Sequence, residues 1–296
     1  MFDPSTTDEM KEKLQLIEEV RTYLGDSLGL NQTENYTTFY DQKDKPILWV
    51  LTASPEFEII SHEWEFPILG KFPYKGFFDF AAAEKEEKEM QSKGYDTEID
   101  EVNAWSTLGW FKDPILSSML KRSPARLAEL IIHESTHATL YVKDSADFNE
   151  NLASFIGVKG AEKFIAQTYG PNSEELLNYK LSRTRNKIYK AYVNQAIDQL
   201  KERYRTMDIH LSIEEKRRLK KQWINDLKFG LLETDYFEDK IEGRKKLEQF
   251  QFNNATLSGF STYSSMQSEL IDIFNDTYGG DLKKMIQDFK KKYRSL

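Results

Sequence analysis

Residues 129–137 read Glu129-Leu130-Ile131-Ile132-His133-Glu134-Ser135-Thr136-His137, and the interpretation of the chain starts from this stretch. Ser123 and Pro124 predict that a helix begins just before it, with serine as the cap and proline at the first helical position. Residues four apart lie on one face of a helix, so both imidazoles can reach a single tetrahedral ion. Glu134 lies beside them, where a carboxylate can contact a water held by the metal without binding the metal itself. The pattern therefore predicts a zinc-binding helix.

The remaining composition narrows the choice of ligands. The chain has 296 residues, no cysteine and four histidines, so any metal must use histidine, aspartate or glutamate. His62 and His210 have no metal-spaced companions and are interpreted as ordinary surface or core residues. Two stacked histidines could also be satisfied core residues of a buried helix. In that alternative no metal binds, and the motif helix packs against its neighbour.

A third ligand is predicted on the next helix, which is expected from about Asp147 to Tyr169. Antiparallel helices joined by a short loop face each other, so Glu150 in the first turn can point back at the histidine pair. Asp147 and Glu150 are three apart, however, and also fit a capping box in which Glu150 only closes the helix end. A glutamate ligand leaves the fourth position of zinc open for water, as a catalytic site requires.

The remaining pattern predicts an α+β chain that is mainly helical, with a small mixed sheet in the amino-terminal part. Residues 47–51 and 95–102 read as strands, whereas a first helix is expected to end at Gly25 and a second covers about 79–93. Beyond residue 112 the pattern is almost entirely helical, and Ser212 with Glu215 fits a capping box. We expect one domain over residues 1–296, with a possible division into 1–112 and 113–296.

Charge and hydropathy exclude several partners. The net charge is −8, which argues against nucleic acid, because proteins that bind the phosphate backbone usually carry a basic excess. No apolar run approaches the length that spans a membrane. The pattern leaves the oligomeric state open.

Short blocks in a fixed order resemble the bacterial putative aminopeptidase family, a set of HExxH zinc peptidases similar to the wider glutamate-ligated zincins. Beside the zinc motif, these blocks are Phe66-Pro67-Ile68, Gly94-Tyr95-Asp96, Trp105-Ser106-Thr107-Leu108-Gly109-Trp110-Phe111 followed by Asp113-Pro114, Leu140-Tyr141-Val142-Lys143, Phe148-Asn149-Glu150 with Ala153, Asn253-Asn254-Ala255, and Gly279-Gly280-Asp281-Leu282. They span nearly the whole chain, so the resemblance is more specific than the zinc motif alone.

The resemblance implies a zincin-like fold and one zinc ion held by His133, His137 and Glu150, with Glu134 as the general base. It implies peptide substrates and an aminopeptidase activity. It also implies a bacterial envelope setting, because members of this kind commonly begin with a lipoprotein-type signal. This chain begins directly at its first predicted helix, so both an envelope and a cytoplasmic location stay open.

Two further roles are assigned from the sequence, each with an alternative. Tyr263 is the candidate donor to the oxyanion, because it follows the Asn253-Asn254 block in a predicted turn; alternatively it packs on the core at a helix start. Tyr141 lies one turn beyond His137 and is expected to be too far along the helix for that role. The candidates for substrate binding are Ser106, Thr107, Leu108 and Gly109, a possible sheet edge for an extended peptide. Alternatively they form a buried turn between Trp105 and Trp110.

Two function classes follow from these observations. The first is a zinc peptidase, with action at chain ends preferred over internal cleavage. The second is a peptide- or envelope-binding protein that keeps zinc as a structural or vestigial feature.

Overall fold

The computed structural model describes residues 7–66, 70–102, 112–143, 145–262 and 266–293. In that part of the chain most residues are helical and the strands form small sheets, which confirms the predicted α+β class. The helices are α1 (Asp8–Tyr23), α2 (Phe80–Ser92), α3 (Pro124–His137), α4 (Ala146–Tyr169), α5 (Glu174–Arg205), α6 (Ile213–Gly230), α7 (Lys240–Gln249), α8 (Asn254–Ser258), α9 (Gln267–Asp272) and α10 (Leu282–Lys292). The strands are β1 (Phe39–Tyr40), β2 (Leu48–Pro55), β3 (Trp64–Phe66), β4 (Gly70–Phe72), β5 (Lys75–Phe77), β6 (Tyr95–Val102) and β7 (Ile115–Leu116).

The chain forms two compact units, and each takes segments from both sides of residue 112. The first contains Met1–Lys45, Asn103–Lys180 and Tyr263–Leu296, and the second contains Pro46–Val102 and Leu181–Thr262. That residues 1–296 unfold cooperatively as a single domain stays a prediction. No helix in the described ranges is both long enough and apolar enough to cross a membrane.

The first unit is built around the pair α3 and α4. Residues of α3 that recur at helical spacing are completely buried, as in Leu127, Ile131 and Ile132. Burying such aliphatic side chains contributes about 1.5–3 kcal/mol each, which is the main reason why this helix is stable. Beside the helices, β1 and β7 pair in parallel, with Phe39 opposite Ile115.

The first helix does not end at Gly25, so that prediction was wrong. After α1 the chain continues as a π-helix over Leu24–Leu28, and the turn closes at Gly29 with φ +71°. Gly25 lies close to Gln32: a Cβ there would be 2.8 Å from the side-chain nitrogen of Gln32, which would have to move. The left-handed backbone that favours glycine occurs four residues later.

The second unit contains an antiparallel sheet with the order β5-β2-β6. In its longest ladder Leu51 lies opposite Ile99, and α2 closes the sheet's apolar face through Met90, which packs with Leu51 and Ala53. Strands β3 and β4 form a separate hairpin. The capping box predicted at Ser212 and Glu215 is confirmed at the start of α6.

A buried amide ties the start of α8 to the turn that follows β2. Asn254 is fully buried, and its Nδ2 lies 3.0 Å from each of the carbonyl oxygens of Pro55, Glu56 and Glu58. Tyr204 donates its hydroxyl proton to Oδ1 of Asn254 at 2.9 Å. Buried polar groups are stable only when they are hydrogen-bonded, and this side chain satisfies several of them together.

We therefore expect Asn254→Ala to lower the free energy of unfolding by about 3 kcal/mol, because it removes the three hydrogen bonds of Nδ2 and the acceptor of the buried Tyr204 hydroxyl together. Tyr204→Phe removes one hydrogen bond from the same cluster and should cost only about 1–2 kcal/mol. Urea denaturation of both variants checks the prediction. An equal loss of unfolding free energy in the two variants would show that the bonds from Asn254 to the main chain add no stability beyond its bond with Tyr204.

Candidate metal centre

The helix that carries the two histidines begins where the sequence predicts. Ser123 caps α3 by accepting a hydrogen bond from the backbone N–H of Arg126, and Pro124 occupies the first helical position. The helix ends at His137. Tyr141 therefore lies in the following loop, whereas the sequence had predicted it on the helix. His137 is buried, with 4% of its side chain exposed, whereas the His133 side chain is 21% exposed.

Three side-chain donors from two helices converge in the first unit. The Nε2 atoms of His133 and His137 are 3.2 Å apart. Glu150 of α4 places Oε1 3.2 Å from Nε2 of His137 and Oε2 3.6 Å from Nε2 of His133. One donor atom from each residue lies within 4.8 Å of the others, so the group could hold a metal ion.

The spacing of these donors fits a small tetrahedral cation. With metal–ligand distances of about 2.0–2.1 Å, two donors of a tetrahedral zinc ion lie about 3.3 Å apart. The separations of 3.2 Å for the two pairs that include His137 match that edge. Two imidazole nitrogens and one carboxylate are also a ligand set that catalytic zinc uses, with the fourth position left to water.

The structure excludes one of the two interpretations of Glu150. The residue at the start of α4 is Ser145, which makes no capping side-chain hydrogen bond, and Asp147 lies inside the first turn. The capping box of Asp147 and Glu150 is therefore absent, and the Glu150 carboxylate contacts the histidines. Packing of α4 against α3 turns that face of the helix towards the motif, which local sequence cannot specify.

The electrostatics of the group reflect the short contacts. Hydrogen bonds from His133 and His137 hold the pKa of Glu150 far below its usual range, although partial burial opposes them. Burial lowers the pKa of His133, but the hydrogen bond to Glu150 and the charge of Glu134 outweigh it and raise the pKa overall. Among the described residues, no atom hydrogen-bonds to the buried Nδ1 of His137. A carboxylate that stays ionised suits a cation site.

Gly157 allows the two helices to come close enough for this contact. It lies seven residues after Glu150 and therefore on the same face of α4. A Cβ at this position would lie 3.1 Å from the carbonyl oxygen of Glu129 and 3.2 Å from Cβ of His133. A larger residue requires the two helices to give way slightly, which would shift Glu150 relative to the histidines.

We expect Gly157→Val to destabilise the protein by about 1–3 kcal/mol, as overpacked cores do, and to weaken zinc binding. Gly259→Ala is the matched control, because no described atom lies within 4 Å of the added Cβ and φ is −72°. Thermal unfolding and zinc titration against a competing chelator measure the two effects. An unchanged zinc affinity in Gly157→Val would contradict the role assigned to this glycine.

Glu134 lies between the ligands on α3 and is partly exposed. Within the described residues, no hydrogen bond or ion pair occupies its carboxylate. Tyr36, which no sequence pattern indicated, interacts electrostatically with Glu134; it is 2% exposed and has a left-handed backbone with φ +60°. Burial and the carboxylates of Glu134 and Asp113 raise the pKa of Tyr36, so the phenol stays protonated. A positive φ is unusual for a residue other than glycine and draws attention to Tyr36, but this feature is visible only in the structure.

Five residues assigned from the sequence lie outside the described ranges. They are the candidate oxyanion donor Tyr263 and the candidate substrate-binding residues Ser106, Thr107, Leu108 and Gly109. His62 packs its ring against Trp64 and Tyr95 in the second unit, and His210 is exposed, so neither joins the metal donors.

Comparison with known proteins assigns a family. The model of a family described as "Putative aminopeptidase" matches residues 1–295 of the chain. Neither the curated proteins nor the solved structures give a match. The family match spans both units and includes all three metal donors.

Proposed function

The chain belongs to the putative aminopeptidase family, and we propose that it is a zinc-dependent peptidase with the ligand arrangement of the glutamate-ligated zincins. Membership of the family suggests peptide hydrolysis as the reaction class. The zinc dependence rests on one observation, the convergence of His133, His137 and Glu150 at tetrahedral spacing.

His133, His137 and Glu150 would hold the ion. When bound, zinc lowers the pKa of its water towards ~7 and polarises the scissile carbonyl. Glu134 accepts the proton of the attacking water and then delivers it to the leaving amine. Its carboxylate is suited to this because it lies next to the ligands and no described group competes for it.

Binding and charge stabilisation require further residues. We propose Tyr263 as the hydrogen-bond donor to the developing oxyanion and Ser106, Thr107, Leu108 and Gly109 as the segment that aligns an extended peptide. A Tyr263→Phe variant tests the first assignment, because loss of one oxyanion donor costs about 10²–10³ in kcat. Unchanged kcat in that variant would remove Tyr263 from the mechanism.

The proposed activity is tested by digesting a peptide library with the zinc-loaded protein and identifying the products by mass spectrometry. We expect stepwise loss of amino-terminal residues, which stops when a chelator removes the metal. Cleavage at internal bonds would support a peptidase activity but would contradict the expected preference for the amino-terminal end. Peptide binding without any cleavage would favour the binding-protein alternative, in which zinc is structural or vestigial.

A further inference from the structure

The Glu150 side chain is held by its carboxylate contacts with the two histidines and not by packing around its torsions. Its side chain is 42% exposed, so packing does not fix its torsions. Glu150 is the fifth residue of α4 and so lies one turn from the start of the helix, where helices fray. Ser145, the residue at the start of the helix, makes no capping side-chain bond. Something else must keep this turn in place.

The residues on either side of Glu150 are both buried asparagines that bond to main-chain atoms. Asn149 is 3% exposed and bridges one residue of the preceding loop: Oδ1 accepts the N–H of Val142 at 2.9 Å, and Nδ2 donates to the Val142 carbonyl at 2.8 Å. This pair of hydrogen bonds resembles the pairing of two residues in a β-sheet, with a side chain in place of one strand. It joins the loop after α3 to the first turn of α4.

Asn151, on the other side of Glu150, makes hydrogen bonds within α4 and with α9. It is 1% exposed, and its Nδ2 donates to the carbonyl oxygen of Asp147 at 2.8 Å. Gln267 of α9 donates to both the carbonyl oxygen and Oδ1 of Asn151, at 2.8 and 3.1 Å. The turn that carries Glu150 is thereby tied to the loop before it and to a helix near the end of the chain.

We propose that Asn149 and Asn151 are positioning residues that hold Glu150 against the two histidines before a metal binds. The inference rests on the proposed zinc centre and adds that the centre is preformed. Successive helical residues point about 100° apart, so each asparagine anchors the backbone without approaching the metal. Groups that orient metal ligands in this way typically change metal affinity by about 10–100-fold when they are removed.

The test compares Asn149→Ala with Asn254→Ala, a buried asparagine of the second unit with main-chain hydrogen bonds and no part in the metal centre. We expect Asn149→Ala to raise the zinc dissociation constant about 10–100-fold, whereas Asn254→Ala lowers the melting temperature and leaves the dissociation constant unchanged. Cobalt provides a spectroscopic signature. The visible bands of the Co²⁺-substituted Asn149→Ala protein should weaken if the carboxylate gives way to water ligands.

A wild-type zinc affinity and cobalt spectrum in Asn149→Ala, together with a lowered melting temperature, would show that the Asn149 hydrogen bonds serve only the fold and would overturn the proposal. If that variant does not fold, Asn149→Asp decides the question. It keeps the acceptor for the Val142 N–H but turns a second carboxylate oxygen towards the Val142 carbonyl, so a raised dissociation constant is expected and a wild-type value would overturn the proposal.

A metal-free readout separates this inference from the proposed function. In the wild-type protein without metal, the Val142 amide should exchange its hydrogen slowly, and in Asn149→Ala it should exchange rapidly. If the wild-type protein binds no zinc at all, the proposed function fails, while slow exchange at Val142 still supports a preformed turn. Rapid exchange at Val142 in the wild-type protein would overturn the proposed role of the Asn149 hydrogen bonds, whether or not the protein binds zinc.

Discussion

Replacing Glu134 with glutamine should lower kcat for peptide hydrolysis by about 10²–10⁴-fold, the usual contribution of a positioned general base. The amide keeps the size of the carboxylate but cannot accept the proton of the attacking water. Zinc content and melting temperature should stay at wild-type values, because no described hydrogen bond or ion pair depends on this carboxylate. The measurement is the steady-state rate on the peptides that the library digest identifies.

Glu162→Gln is the control for that experiment. Glu162 is also a partly exposed glutamate on a helix of the first unit, and its carboxylate pairs with Lys159 at 3.2 Å on the protein surface. Its replacement should leave kcat unchanged. An active Glu134→Gln variant with full zinc content would remove Glu134 from the proposed mechanism without affecting the metal assignment.

The second large effect is expected for His137→Ala, which should abolish stoichiometric zinc and with it the activity. Apparent binding free energies of about 10–16 kcal/mol are shared by the ligands of structural zinc sites, so losing one of about four ligands weakens binding roughly 10²–10³-fold or more. Because zinc binds the folded state, it should raise the melting temperature of the wild-type protein and not that of the variant.

His210→Ala is the matched control, since this histidine is exposed and distant in sequence from the metal donors. It should retain zinc and the zinc-dependent rise in melting temperature. Metal analysis by mass spectrometry and thermal unfolding with and without zinc cover both variants. Stoichiometric zinc in His137→Ala would show that the ion, if present, is held elsewhere.

Much of the site could be predicted because its central feature is local. The helical repeat places His133 and His137 on one face wherever the helix lies, and Ser123 with Pro124 marks where it begins. The strand at 95–102 and the capping box at Ser212 were predictable for the same reason, since each depends on the spacing of neighbouring residues. The end of the first helix was not, because the π-turn at Leu24–Leu28 depends on how the following chain packs.

The sequence by itself determined the composition of the candidate metal centre: without cysteine, any ligands must come from histidines and carboxylates, and the motif indicated two candidates. Only the tertiary structure decided where the Glu150 carboxylate lies. The same three-residue spacing fits a capping box or a third ligand, and the close approach of α4 to α3 at Gly157 brings the carboxylate to the two histidines. The burial of His137 and the placement of Tyr36 near Glu134 were decided in the same way. Periodicity acts over one or two helical turns, whereas these contacts join segments that only packing brings together.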